Sequence, residues 1–180
     1  MSGVYFAGMR ITAAPLADDE KNQEVNQKIQ ELVKKAHITV SWLGARSPET
    51  IKEIVQEIQR CVLGIEAHKK EQPENQKIEI VFDDWSILGK PADIAANKGL
   101  NVRLCHIYNY SIFLELVKFH QKWYKHEVGE AEERRHQLKL HLTCKNVVDE
   151  KPIMDLLNSV ECLSIFVKEV GGDIVWQHTF

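Results

Sequence analysis

Two short stretches carry the residue types and the spacing for acid–base chemistry. His37-Ile38-Thr39-Val40 and His141-Leu142-Thr143-Cys144 both read histidine, apolar, threonine, apolar. Histidine titrates near physiological pH, so one imidazole can take a proton while a second gives one. A threonine two positions along an extended strand shares the histidine's face. Its hydroxyl can donate to an oxygen that gains charge in a transition state. The same alternation puts Lys139 and Lys145 on the face of His141 and Thr143, where they raise the positive potential. Two such pairs converging across a cleft could act as general acid and general base on one bound group without a metal. One histidine would serve the attacking hydroxyl and the other the leaving oxygen, with Thr39 and Thr143 holding that group. The sequence leaves open which histidine takes which role.

Both motifs sit on predicted strands. His37 to Leu43 alternates, with His37, Thr39 and Ser41 on one face and Ile38, Val40 and Trp42 on the other, so Trp42 is expected to pack. His136 to Val147 alternates too, with Leu138, Leu140, Leu142 and Cys144 facing the core. Gly3 to Ala13 reads as a first strand. A helix follows, with Asp18 and Asp19 at its start and Lys34 and Lys35 at its end, matching the helix dipole. The clearest helix begins at Ser47 as N-cap and Pro48 at N1, with an apolar stripe of Ile51, Ile54, Val55, Ile58, Cys61 and Val62. A polar loop, KEQPENQ, ends it.

KIEIVFDDWSILGK is a strand bent near Asp83-Asp84, and GLNVRLCHI is its antiparallel neighbour. YSIFLELVKFHQKW begins an amphipathic helix that runs into a charged stretch, and KFHQKWYKHE reads as a wet helix face. EKPIMDLLNSV is a short helix, and GGD joins two final strands as a hairpin. The order β-α-β-α-β-β-α-β-α-β-β predicts an α+β protein with a mainly antiparallel sheet and helices outside.

The chain has 180 residues, enough for one domain (1–180) with two lobes sharing a core. A net charge of −3 argues against broad binding to a long nucleic acid. It leaves room for a small anionic ligand in a locally basic cleft. The four cysteines form no CxxC pair and read as buried thiols in a reducing compartment. Cysteine and histidine do not fall at zinc-ligand spacing, and no metal or cofactor is expected. No signal peptide or membrane-length apolar run is present, so a soluble, cytoplasmic monomer without membrane contact is expected.

A pair of His-x-Thr-apolar motifs, one per lobe of an α+β fold, resembles the 2H phosphoesterases. The resemblance implies a bilobal fold, with two pseudo-symmetric, mainly antiparallel sheets forming a cleft. It makes His37 and His141 catalytic and Thr39 and Thr143 phosphate-binding. It implies a metal-independent phosphodiesterase acting on RNA ends, 2′-5′ oligoadenylates or cyclic oligonucleotides. The start GVYFAGMR and the end KEVGGDIVWQHTF are also similar to phage 2H enzymes that degrade the cyclic nucleotide signals of bacterial antiviral (CBASS) systems. That narrower likeness implies ligand contacts for Tyr5, Glu169 and Trp176, viral counter-defence as the role, and the host cytoplasm as the site of action.

Each functional residue has a structural counterpart reading. Tyr5 and Trp176 suit a core as well as a base-stacking platform, Glu169 suits a solvated strand end, and Lys139 and Lys145 suit a wet face. The leading expectation is cleavage of a small cyclic nucleotide. The alternatives are a 2′-5′ oligoadenylate or RNA-end 2′,3′-cyclic phosphodiesterase or ligase, and a non-catalytic nucleotide sponge.

Overall fold

A computed structural model describes residues 2–15, 22–71, 77–130 and 133–180. The strands are β1 (Gly3–Thr12), β2 (His37–Arg46), β3 (Glu79–Leu88), β4 (Leu100–Ile107), β5 (His141–Thr143), β6 (Ser159–Glu169) and β7 (Ile174–Thr179). The helices are α1 (Gln23–Lys35), α2 (Pro48–Glu71), α3 (Pro91–Ala95), α4 (Tyr110–Trp123), α5 (Glu133–His136) and α6 (Val147–Met154). The α+β class and the antiparallel pairing follow the sequence expectation. The short α3 and α5 are additions to it. The expected helix start at Asp18 and Asp19 lies outside the described residues, as does most of the KEQPENQ loop.

All seven strands belong to one hydrogen-bonded sheet in the order β1-β2-β5-β4-β3-β6-β7, with β6 also pairing β1. Six strands therefore close on themselves, and β7 extends one edge of β6. Exchanging β1 with β4, β2 with β5 and β3 with β6 leaves every pairing of those six in place. The same exchange relates α1 to α4, because each joins the first two strands of its run, and α2 to α6, because each joins the last two.

The core lies between the sheet and the helices. Ala7, Met9 and Ile11 of β1 are buried with Ile38 and Val40 of β2, Leu142 of β5, and Ile165 and Val167 of β6. Helix α2 starts where its sequence says it should: the Thr50 N–H donates to the Ser47 hydroxyl at 3.2 Å. Its buried stripe comprises Ile51, Ile54, Ile58, Cys61, Val62 and Ile65, each worth about 1.5–3 kcal/mol relative to exposure. All four cysteines are buried free thiols.

Three local expectations are corrected. The strand expected over His136–Val147 is reduced to His141–Thr143, because α5 takes the chain through His136 first. Helix α6 begins earlier than its apolar pattern suggests, because the Asn146 side chain accepts from the Val148 and Asp149 N–H groups. It ends at Met154, and β6 has begun by Ser159. In β2 the alternation breaks twice. Phe6 pairs with Trp42 and Tyr5 with Gly44, while Ala7 pairs with Ser41 and Gly8 with Thr39. Leu43 and Val40 are thus extra residues, and such bulges re-aim the side chains beside them. Leu43 takes the core position, and Trp42 is left half-buried. The bend at Asp83-Asp84 is likewise a bulge, between Phe82 and Trp85 in the β3–β4 pairing.

Candidate functional site

Strands β2 and β5 lie side by side, with Ile38 opposite Leu142 and Thr39 opposite His141. Ile38 and Leu142 point into the core, so His37, Thr39, His141 and Thr143 project from the other face. Diagonal positions on paired strands, here His37 and His141, stand about 7–8 Å apart. That leaves room for one tetrahedral group between the rings. All four side chains, with Lys139, line a cavity of about 470 Å³. A second cavity, of about 760 Å³, lies between α1 and α6. It shares His37 and Thr143 with the first and adds Lys28, Lys35 and Lys145.

The two histidines are held differently. His141 is only 7% exposed, and its Nδ1 lies 2.7 Å from the Lys139 carbonyl oxygen. A carbonyl only accepts, so Nδ1 carries the hydrogen and Nε2 keeps a free lone pair when the ring is neutral. Burial pulls the His141 pKa down to about 4; the carbonyl bond opposes this, and the charges of Arg134 and His37 add to it. His37 is half-buried between two aromatic rings, 5.1 Å from Phe6 and 5.9 Å from Phe166 by centroid. Its pKa also falls to about 4, first through burial, then through Arg10, Lys145 and Lys168. Gly8 makes this packing possible: a Cβ there would lie 2.7 Å from the Phe166 ring tip and 3.2 Å from the Ile38 carbonyl.

A third histidine belongs to the same cavity, which corrects the reading of KFHQKWYKHE as a wet face. His120 is 3% exposed, because α4 turns this position toward β2. Its Nε2 donates to the Arg134 carbonyl at 3.1 Å, which leaves Nδ1 to accept from the Ser41 hydroxyl at 2.9 Å. Burial lowers its pKa, against the opposing pull of its bonds to backbone carbonyls. Phe6, Trp42, Tyr124 and Arg134 also line the cavity, together with the carboxylates of Glu127 and Glu130.

The remaining expected ligand contacts stand apart. Tyr5 and Glu169 are paired across β1 and β6, and Trp176 is paired with the core residue Val167. Tyr5 and Trp176 pack against the hydrophobic core. On β1 the face of Tyr5 is that of Ala7 and Met9, opposite the one that carries Phe6, Gly8 and Arg10. None of Tyr5, Glu169 and Trp176 lines either cavity. Lys139 and Lys145 do line the cavities, one each, and Lys139 contributes its backbone carbonyl as well. Arg10, Lys168 and the two phenylalanines escaped the motif search. Strict alternation of Phe6, Gly8 and Arg10 against Ala7, Met9 and Ile11 is the signal that could have found Arg10.

Among the described residues, no group of three or more histidine, cysteine or acidic side chains is arranged to hold a metal ion. No described helix is long and apolar enough to cross a membrane. No protein-family model and no curated protein sequence matches the chain.

Proposed function

We propose that the chain is a metal-independent phosphodiesterase of the 2H type, acting on a small nucleotide. The observation that carries this reading is the register of β2 and β5, which brings both His-x-Thr pairs onto one face of one cavity. In the proposed architecture the exchangeable strand pairings are two pseudo-symmetric lobes, β2-β1-β6-β7 and β5-β4-β3, with the reacting group bound where they meet. The cationic surround of His37 suits an anionic substrate. Two cavities meeting at His37 and Thr143 suit a phosphate with a substituent on each side, which is a diester.

The bonding of His141 supports an assignment of roles. Its free Nε2 lone pair takes the proton from a ribose hydroxyl, whose oxygen attacks the neighbouring phosphorus. The bond to the leaving ribose oxygen breaks, and that oxygen takes a proton from the His37 imidazolium. Thr39 and Thr143 donate to the non-bridging oxygens as their charge grows. The product is a cyclic phosphate, which water opens with the two histidines in reversed roles. A bound phosphate offsets Arg10, Lys145 and Lys168, and so raises the fraction of His37 that is protonated. A cyclic oligonucleotide is the preferred substrate, and the cell-biological role proposed is counter-defence.

The test is a panel of cyclic di- and trinucleotides, 2′-5′ oligoadenylate and RNA with a cyclic phosphate end, incubated in EDTA and resolved by mass spectrometry. Cleavage of one class, lost in both His37→Ala and His141→Ala, is the expected result. Recovery of intact ligand from the denatured protein would instead identify a sponge, and loss of activity in EDTA would overturn the metal-free route.

A further inference from the structure

Among the described residues that line this cavity, Arg134 carries a buried side-chain donor without an acceptor. Its Nη1 is shielded from solvent and meets no partner among the described residues, although Arg134 lines the same cavity as both catalytic candidates. A buried donor without an acceptor carries a desolvation cost that a ligand can relieve. A cation–π contact holds the guanidinium at the cavity wall. Its carbon stands 5.8 Å from the Tyr124 ring centroid, and the Tyr124 hydroxyl is itself tied to Glu130 at 2.7 Å. The backbone is tied as well. His120 Nε2 donates to the Arg134 carbonyl, and Ser41 donates to His120 Nδ1. Ser41 lies two residues beyond Thr39 on β2. A chain of two hydrogen bonds therefore connects the strand that carries one His-Thr pair to the short helix that carries the arginine.

We propose that Arg134 is an oxyanion-binding residue of this site, and that Ser41 and His120 are the positioning residues that hold it there. The ligand class is a phosphate or phosphodiester whose non-bridging oxygen accepts from Nη1. This deepens the phosphodiesterase reading and rests on it for the identity of the natural ligand. The anion contact itself needs no turnover. Arginine suits the task, because its planar fork stays charged and presents a donor in a fixed direction. The buried His120 is a spacer whose tautomer is set by the carbonyl: with its donor and acceptor nitrogens exchanged, Ser41 could still accept from Nδ1, but the bond to the Arg134 carbonyl would be lost.

The experiment uses the full chain and inorganic phosphate as the probe, titrated while the ring resonances of His37 and His141 are followed by NMR. Phosphate should shift both rings in the wild-type protein. Arg134→Gln should weaken phosphate binding roughly ten- to a hundredfold and raise the His141 pKa, because a neighbouring positive charge is gone. Arg134→Lys keeps the charge but not the fork, and should fall between. It carries the test if the glutamine variant fails to fold. Ser41→Ala should weaken phosphate binding by a smaller factor while its melting temperature falls little, a separation that a merely structural hydroxyl would not give. Unchanged phosphate affinity in Arg134→Gln, or wild-type rings that phosphate does not move, would overturn the proposal. Absence of diester cleavage with phosphate binding that depends on Arg134 would overturn only the phosphodiesterase reading.

Discussion

Helices α2 and α4 and helices α1 and α6 occupy positions that the strand exchange relates, yet one pair is closed and the other is open. Between α2 and α4, Lys122 reaches Glu57 at 2.6 Å, His68 meets Glu115 at 3.3 Å, and the Cys61 thiol donates to the Glu115 carbonyl at 3.5 Å. Gly64 leaves room for the Glu115 carboxyl group, whose carbon would lie 2.7 Å from a Cβ built there. Between α1 and α6 there is instead a cavity of about 760 Å³ with His37 and Thr143 at its edge. Length is one cause: α2 has 24 residues to pack along its partner, and α6 has 8. One pair is packed shut, and the other leaves space beside His37 and Thr143.

The largest effects should fall on the two histidines, and they should differ in kind. Each alanine substitution is expected to cost about a hundred- to ten-thousandfold in kcat. A nitrophenyl leaving group needs no protonation, so it should rescue His37→Ala and not His141→Ala. Equal rescue of both would erase the assigned roles. Gly64→Val, which wedges the closed pair apart, should destabilise by about 1–3 kcal/mol in urea unfolding and leave KM unchanged. Leu32→Trp, which fills the open cavity, should do the reverse: KM rises severalfold, with stability within about 0.5 kcal/mol of wild type. If both substitutions moved stability alone, the open pair would be no part of the site.

The pH dependence comes next. Both histidines have folded pKa values near 4, below the ordinary 6.5. Between those values the unfolded chain binds more protons than the native one. Stability is therefore full above about pH 6.5 and is lost as pH falls toward 4. His141→Gln should flatten that acid slope in denaturation curves, and a slope that persists unchanged would remove His141 as its cause. The pH profile of kcat/KM should peak on the acid side of neutrality. The smallest expected change belongs to Lys145→Ala: a modest rise in the His37 pKa, read by NMR, and a few-fold loss of affinity.

Most elements were legible because their signals are local. Ser47 and Pro48 mark the start of α2, and the apolar stripe behind them is buried except for the half-buried Val55. The GGD turn joins β6 to β7, which pair antiparallel. Where the reading failed, distant partners had decided. Trp42 leaves the core face because β1 pairs with β2 through two bulges, which alternation within β2 cannot reveal. His120 is buried because α4 lays it against Ser41, 79 positions away. Apart from those failures, Tyr5, Glu169 and Trp176 line neither cavity, and Tyr5 lies on the β1 face opposite Phe6, because adjacent residues of a strand point to opposite faces.

The sequence by itself determined which residues could do the chemistry and which face of its own strand each would occupy, since a period of two follows from the extended backbone alone. Only the tertiary structure decided that the two strands are neighbours, that Thr39 faces His141, and that each histidine has a different environment. Strand pairing, burial and the direction of an imidazole proton depend on contacts between residues far apart in the chain. A carbonyl at Lys139 and an arginine at 134 acquire their significance only when the fold brings them to the same cavity.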